Sequence, residues 1–212
     1  MIVRDVMQAH VVSATTETPM SHLARVLQRR GLRHIPIVDD GKLVGIVSDR
    51  DIKQATASAA ASADGPARDR LVDGLTAGQV MTRGVITIGP MFGVEDAARL
   101  MATRKISALP VTEEDRLVGI VTETDVLHLF VRALGVLEPS SRVEVAMEPG
   151  DQTLGGVVHA VEGAGARIAS VVTLEDPAGG REVVLRLATI DPRPALSALR
   201  SGGYRVREAG DH

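Results

Sequence analysis

The chain has 212 residues with 24 Lys and Arg against 27 Asp and Glu, and it contains no Cys. The absence of cysteine excludes disulfides, thiolate catalysis and cysteine metal sites, and the six histidines show no metal-ligand spacing. The formal net charge of −3, with two Phe, one Tyr and no Trp, argues against a nucleic-acid-binding protein, because such proteins need a basic surface and aromatic stacking.

The chain contains the same unit twice, at a spacing of 74 residues. Residues 43–51 return as residues 117–125, with five consecutive residues unchanged and the closing aspartate in the same place. Met7 and Met81 fit the same shift without a gap. Repetition at a constant spacing indicates that a whole folding unit is duplicated.

Each unit is predicted to open with a strand and an amphipathic helix. Thr18 is expected to cap the first helix, with Pro19 at its first position and Gly31 as the left-handed residue that ends it. Lys105 stands in the second copy where Gly31 stands in the first. The apolar faces of the two helices share the spacing i, i+3, i+4, i+7 and consist of Met20, Leu23, Ala24 and Leu27, and of Val94, Ala97, Ala98 and Met101.

A hairpin and a second helix complete the unit. The β-branched runs Ile35–Val38 and Leu43–Val47 flank a tight acidic turn, and the next helix is expected from Asp49 onward. The order is therefore strand, helix, strand, strand, helix. We assign residues 1–57 to the first unit and residues 76–135 to the second.

An alanine-rich stretch with an Asp-Gly-Pro break separates the two units. The alanines can prolong the preceding helix, but the Ser and Thr residues and the break favour an exposed connection. We assign residues 58–75 as a connector without a site.

The last third of the chain has a different pattern, over residues 141–209. Alternation at Val143, Val145 and Met147 predicts a strand, and a helix follows that ends near Gly163. The order continues as strand, strand, helix, strand, which gives the ferredoxin-like βαββαβ arrangement. These later elements are expected at Arg167–Leu174, Arg181–Ala188, Pro192–Ser201 and Tyr204–Val206.

The doubled motif, a strand proline followed by Gly-x-x-Ser/Thr-x-x-Asp, resembles a tandem pair of CBS domains (a Bateman module), and the last third resembles an ACT domain. The combination is similar to the AcuB-type CBS-ACT proteins of acetoin utilisation. The resemblance implies an α/β (α+β) fold and a non-catalytic regulatory protein that binds an adenine nucleotide, AMP or ATP, between the CBS domains. It also implies a homodimer that acts on an unidentified protein target.

The polar residues of the motif are Ser48 and Asp51 in the first unit and Thr122 and Asp125 in the second. A helix N-terminus favours an anion, a hydroxyl there can donate to phosphate, and a carboxylate can accept both hydrogen bonds of a ribose diol. The same spacing is that of a capping box, which explains these residues without a ligand. The resemblance implies that the two aspartates bind ribose and that Ser48 and Thr122 bind phosphate.

Gly45 and Gly119 lie inside predicted strands, where glycine is unfavourable unless something approaches the backbone closely. A ligand is one group that could do so.

A basic group occurs only in the first unit. Arg33 and His34 precede the strand proline, and the resemblance implies that they face phosphate. Arg50, in the motif, is a third positive candidate for a phosphate contact, and neutral Thr124 takes its place in the second unit. The alternative is a solvated basic edge. The resemblance also implies an adenine pocket made of Val12, Ile35, Pro36, Ile86, Leu109 and Pro110.

ACT domains commonly bind amino acids in the loop between the first strand and the first helix. Gly150, Asp151 and Gln152 are the candidate loop residues here, but their spacing to Leu154 departs from the ACT motif. The unit is therefore either an effector-binding domain or a dimerising sheet without an effector.

No Ser/His/Asp or lysine nucleophile arrangement is identifiable, so we expect no enzymatic activity and no metal. Apolar runs stay well below the roughly 20 residues of a membrane helix, and no apolar signal core precedes Arg4 and Asp5. We expect a cytoplasmic protein without a membrane contact. The alternative function is a constitutive dimeric scaffold with no nucleotide effector.

Overall fold

The chain divides into two units, Met1–Val126 and Leu127–His212, in the computed structural model, which describes residues 1–62, 65, 71–147, 152–175 and 180–208. The division falls inside a helix, Glu123–Ala133, that begins in the first unit and continues into the second. Each unit has its own aliphatic core.

Two copies of a helix, a hairpin and a second helix build the first unit, as the repeat predicts. A short 3-10 helix, Val3–Asp5, precedes them. The main elements are α1 (Met20–Arg30), β1 (His34–Asp39), β2 (Lys42–Ser48), α2 (Asp49–Ser62), α3 (Ala77–Val80), α4 (Val94–Arg104), β3 (Ala108–Glu113), β4 (Arg116–Thr122) and α5 (Glu123–Ala133).

The strand expected before each first helix is reduced to a single bridge. Ala14 pairs with Ile37, and Ile88 pairs with Val111 in the second copy. The bridge at Ala14 has two backbone hydrogen bonds, of 3.0 and 2.8 Å, and the chain then turns at once, because the Thr15 N–H donates to the Thr18 hydroxyl at 3.1 Å. The prediction of a full strand was therefore wrong.

The start of α1 also differs from the prediction. The helix begins at Met20, and Pro19 is the extended residue before it, with ψ 136°. The Thr18 hydroxyl is used in the preceding turn, so it does not cap the helix. The predicted end is correct, since Gly31 has φ 63° and Lys105 takes the equivalent left-handed position with φ 54°.

The two hairpins form one sheet with the order β1-β2-β4-β3. Their second strands pair at the start, where Lys42 lies opposite Arg116. On either side, the Leu43 N–H donates to the Asp115 carbonyl and the Leu117 N–H donates to the Gly41 carbonyl. Lys42 and Arg116 are equivalent under the 74-residue shift, so a local two-fold axis relates the repeats and passes between them.

The segment that opens each repeat, residues 3–12 or 77–86, packs on the other repeat and is called the exchanged segment. Gln8 pairs with Ile120 of β4, and Thr82 pairs with Ile46 of β2. Ala77 and Met81, which open the second repeat, lie in the same core cluster as five residues of the first: Leu23, Leu27, Ile35, Ile37 and Val47.

This exchange explains the two strand glycines. A Cβ on Gly45 would lie less than 3.0 Å from Sδ of Met81, and a Cβ on Gly119 would lie less than 3.0 Å from Sδ of Met7. The close approach inferred from the sequence is therefore made by a methionine of the exchanged segment, and the glycines give no support to a ligand.

The assigned connector begins inside a helix. Helix α2 continues through Ser62, so residues 58–62 are helical and Ala59 is buried. The alanines prolong the helix, as the sequence allows. Residues 63, 64 and 66–70 of the connector lie outside the described residues.

The described elements of the second unit are β5 (Ser141–Met147), α6 (Leu154–Gly163), β6 (Ile168–Glu175), β7 (Arg181–Leu187), α7 (Arg193–Ser201) and β8 (Arg205–Glu208). The strands have the ferredoxin-like order β6-β7-β5-β8, with antiparallel pairing throughout. They carry an apolar face that packs with the helices into a core including Val143, Val145, Leu185 and Leu196.

Because Met81 packs directly on Gly45, a methyl group added at Gly45 should destabilise the fold. We expect Gly45→Ala to lower the free energy of unfolding by about 1–3 kcal/mol, because the new Cβ overpacks the exchanged segment. The measurement is urea denaturation. Gly163→Ala is the control, since nothing lies within 4 Å of a Cβ there, and a helical alanine should be neutral or stabilising. Equal stability of Gly45→Ala and the parent would contradict the account.

Candidate functional site

Helices α2 and α5 begin directly after β2 and β4, and each begins with the same hydrogen-bond pattern. Oδ2 of Asp51 accepts from the Ser48 N–H at 2.7 Å and from its hydroxyl at 2.6 Å, and the Asp51 N–H donates to the Ser48 hydroxyl at 3.3 Å. Thr122 and Asp125 repeat the pattern at 2.9, 2.6 and 3.3 Å. Both pairs are capping boxes in the structure.

The capping box changes the role expected of Ser48 and Thr122. Each hydroxyl proton is directed at the neighbouring carboxylate, so it is not available to a phosphate. The hydroxyls instead fix the position of the aspartates. Oδ1 of Asp51 has no hydrogen-bond partner in the described part of the chain, so this carboxylate can still accept from a ligand.

A cavity of about 560 Å³ opens beside Asp51. The exchanged segment of the second repeat forms one wall, because Thr82 and residues 84–86 line the cavity together with Ser48 and Asp51 of the first repeat. The lining residues are Arg33, His34, Ile46, Ser48, Asp49, Arg50, Asp51, Thr82, Gly84, Val85, Ile86, Lys105, Ile106, Ser107 and Ala108.

The cavity brings together the predicted ribose residue and the three predicted basic residues of the first unit. Lys105 adds a further cation, so Arg33, Arg50 and Lys105 line the same space. Two carboxylates oppose them, and both have partners: Asp49 pairs with Lys53 at 2.9 Å, and Asp51 is held by its capping box. The hydrogen bond from Lys53 is the main cause of the lowered pKa of Asp49. The cavity can therefore attract an anion.

His34 is part of the cavity but does not contribute a charge. Burial lowers the pKa of His34, and the positive charge of Arg33 lowers it further against the opposing carboxylates of Asp49, Asp51 and Glu123. The imidazole is therefore neutral near pH 7, and its Nε2 lies 3.3 Å from the Ser107 hydroxyl. The expectation of a cationic Arg-His pair has to be corrected, since only Arg33 is charged.

Four of the six side chains predicted to form the adenine pocket are buried. Ile35 and Leu109 are 0% exposed and belong to the core. Pro36 and Pro110 are also buried, although successive strand residues point to opposite faces of the sheet. These four side chains are covered in this structure, and the adenine pocket stays a prediction. The structure brings Ile86 to the cavity at Asp51, with 36% exposure, and places Val12 at the equivalent position of the other repeat.

The second motif has different neighbours. Gln8 donates from Nε2 to Oδ1 of Asp125 at 3.2 Å. Ser107 and Thr124 stand where the first repeat has Arg33 and Arg50. Nη2 of Arg33 reaches across to the Thr124 hydroxyl at 3.3 Å.

Sequence reasoning missed Lys105, Thr82 and Gln8. Lys105 was noted only as the residue that replaces Gly31 at the end of a helix. A lysine in a left-handed position that glycine would fill more easily is a signal of another role. Thr82 and Gln8 follow the repeated methionines by one residue, but the repeat spacing does not show on which copy a segment packs.

The predicted ACT effector loop is only partly described. Gly150 and Asp151 lie outside the described residues. Gln152 donates from Nε2 to the Gly203 carbonyl at 3.2 Å, and Thr153 caps helix α6 by accepting from the Gly156 N–H at 3.1 Å. These contacts connect the loop to the rest of the unit and do not identify a ligand.

The described residues contain no cluster of three or more His, Asp or Glu side chains placed to hold a metal ion. No described helix has the length and apolar content that would be needed to cross a bilayer.

Comparison with curated proteins finds relatives over the first two thirds of the chain. The uncharacterized protein MJ1225 from Methanocaldococcus jannaschii is 34% identical over 131 residues, which are 61% of this chain and 47% of that protein. The L-aspartate semialdehyde sulfurtransferase of the same organism is 33% identical over 131 residues. The chain spans about half the length of the first protein and about a quarter (23%) of the second.

Solved structures match the same region. The CBS domain pair of protein MJ0100, in complex with 5′-methylthioadenosine and S-adenosyl-L-methionine, has a TM-score of 0.52 and 32% identity, over 61% of this chain and 95% of that one. CBSX2 in complex with AMP has a TM-score of 0.53 and 25% identity, over 62% and 96%.

The AcuB protein of Vibrio cholerae, which is assigned provisionally to acetoin utilization, has a TM-score of 0.56 and 30% identity, over 64% of this chain and 94% of that one. The family model for the CBS domain matches twice, at residues 3–58 and 77–132. Together these matches cover more than half of the chain and contain both capping boxes. The chain therefore belongs to the CBS domain family and carries two CBS domains in tandem.

Proposed function

We propose that this protein is a non-catalytic regulatory sensor that binds an adenine nucleotide beside Asp51, between its two CBS domains. The observation that carries the proposal is the cavity of about 560 Å³ that joins a half-buried carboxylate with a free Oδ1 to the cations of Arg33, Arg50 and Lys105. A ribose diol can donate to Oδ1, and a phosphate can take its place among the cations. Ile86 offers an apolar contact to the base.

The similar structures support the adenosine part of the ligand. The CBS pair of MJ0100 holds 5′-methylthioadenosine and S-adenosyl-L-methionine, and CBSX2 holds AMP, so adenosine is common to both. The charges in this chain favour a phosphate over a sulfonium, because three permanent cations face the cavity. We therefore propose AMP or ATP as the ligand, with no catalytic cofactor.

A signal arises if the nucleotide binds one arrangement of the repeats better than another, since a ligand shifts an equilibrium by its differential affinity. We propose that the second unit is an ACT-like domain that dimerises or relays this signal to a protein target in the cytoplasm. A link to acetoin utilisation is supported by the similarity to the Vibrio cholerae protein. The alternative is a constitutive scaffold, favoured by the capping boxes, which explain both aspartates without a ligand.

We propose that the protein is a homodimer. Leu127, Phe130 and Leu137 are 61%, 56% and 72% exposed, and burial by two-fold symmetry would cover such side chains at least cost. Light scattering at micromolar concentration should give twice the mass of the chain. A stable monomer would contradict the proposal.

Asp51→Asn separates ribose binding from helix capping. The amide oxygen still accepts from Ser48, so the melting temperature should change little, while the free acceptor is replaced by a donor. We expect the affinity for AMP to fall by about 1.5–3 kcal/mol, on the order of tenfold to a hundredfold. The measurement is isothermal calorimetry paired with thermal unfolding. Unchanged affinity with a melting temperature several degrees lower would mean that Asp51 is only a cap.

Lys105→Gly should move stability and affinity in opposite directions. A non-glycine residue in the left-handed region costs roughly 1–2 kcal/mol, so the glycine variant should have a higher free energy of unfolding. The gain should be smaller than this cost, because glycine also increases the conformational entropy of the unfolded chain. The affinity for ATP should fall roughly twofold to fivefold, as for an exposed charge contact, and that for adenosine should hold.

The control is Lys105→Gln, which removes the charge but keeps a polar side chain and the left-handed backbone strain at this position. It should lower ATP affinity without the gain in stability. If both variants bind ATP like the parent, Lys105 has no part in the site.

A further inference from the structure

Gln8 and Thr82 occupy equivalent positions at the two clefts. They are related by the 74-residue shift, and each is held by two backbone hydrogen bonds to a strand of the other repeat. The bonds between Gln8 and Ile120 are 2.9 and 3.1 Å, and those between Thr82 and Ile46 are also 2.9 and 3.1 Å. Each side chain therefore starts from the same place beside its aspartate.

The two side chains differ in reach. Gln8 extends to Asp125 and donates from Nε2 to Oδ1 at 3.2 Å, while Oδ2 is already held by Thr122. Both oxygens of Asp125 are therefore engaged within the chain. Thr82 is shorter and makes no hydrogen bond to Asp51 in the described part of the chain, and it lines the open cavity instead. The amide of Gln8 therefore already donates to the oxygen that a ribose hydroxyl would use, and a nucleotide would have to displace that contact.

The two motifs also differ in the number of cations near them. The cations of the first cavity are Arg33, Arg50 and Lys105, and their equivalents at the second motif are Ser107, Thr124 and Gly31. Arg33 is the member of this group that reaches the second motif, through its hydrogen bond of 3.3 Å to the Thr124 hydroxyl. The second cleft therefore offers a phosphate less charge as well as a closed ribose position.

We infer that Gln8 closes the second CBS motif, so that the chain binds one adenine nucleotide, at Asp51, and none at Asp125. This inference rests on the proposed function and adds its stoichiometry and the residue that sets it. Gln8 is a positioning residue that satisfies Asp125 from within the chain. The two repeats thus divide their roles: one binds the effector and the other is a permanently closed copy.

The test is a reciprocal exchange, Gln8→Thr and Thr82→Gln, measured by calorimetry of the full chain with adenosine and with AMP. The parent should bind one AMP per chain. Gln8→Thr should add a second site for adenosine, because adenosine has no phosphate and needs no cations. Thr82→Gln should weaken binding at the first site on the order of tenfold to a hundredfold, the effect of one hydrogen bond to a charged group. Thermal unfolding checks that both variants fold.

Asp125→Asn is the matched control. It should leave AMP binding by the parent unchanged and should remove the second site of Gln8→Thr. Two equal sites in the parent, or no second adenosine site in Gln8→Thr, would each overturn the inference and leave the proposed function intact. Loss of parent binding in Asp125→Asn would overturn both, because it would place the ligand at Asp125. A parent chain that binds neither adenosine nor AMP would instead overturn the proposed function.

Discussion

Two equivalent contacts determine how the two CBS domains come together: Met81 packs on Gly45, and Met7 packs on Gly119. Each methionine belongs to the segment that opens one repeat and packs on the other, and Met81 is part of the core cluster of the first repeat. The hairpins add the pairing of Lys42 with Arg116 and the two backbone hydrogen bonds that flank it. Because the exchanged segment continues from Met81 into residues 82–86, the same contact brings a second wall to the helix N-terminus at Asp51 and so forms the cavity.

A duplicated scaffold does not produce two equal sites. The backbone of the repeats is related by a local two-fold axis, and both motifs form the same capping box. The difference lies in side chains that reach the clefts from outside the motif, above all Lys105 and Gln8. A residue of one repeat can serve the site of the other, as Lys105 does, so the binding capacity of each motif is set by the pair and not by its own unit.

The sequence predicts those features that depend on local periodicity. The spacing of Met20, Leu23 and Leu27 predicts the buried face of α1, and all three are at most 4% exposed. Alternation at Val143, Val145 and Met147 likewise predicts β5. The capping alternative for Ser48 and Asp51 was also visible, because it depends on residues three apart.

Features that depend on long-range packing could not be predicted in this way. A constant shift shows that Gly45 and Gly119 are equivalent but not that a methionine of the opposite segment covers each. The resemblance implies that Ile35 and Leu109 belong to an adenine pocket, whereas their burial of 0% exposure in the core depends on packing that the motif does not show. The most direct test of the account is a crystal structure of the full chain grown with AMP. The account predicts AMP beside Asp51, with a ribose hydroxyl within hydrogen-bond distance of Oδ1 and the phosphate among Arg33, Arg50 and Lys105; AMP bound at Asp125 with the Asp51 cavity empty would contradict it.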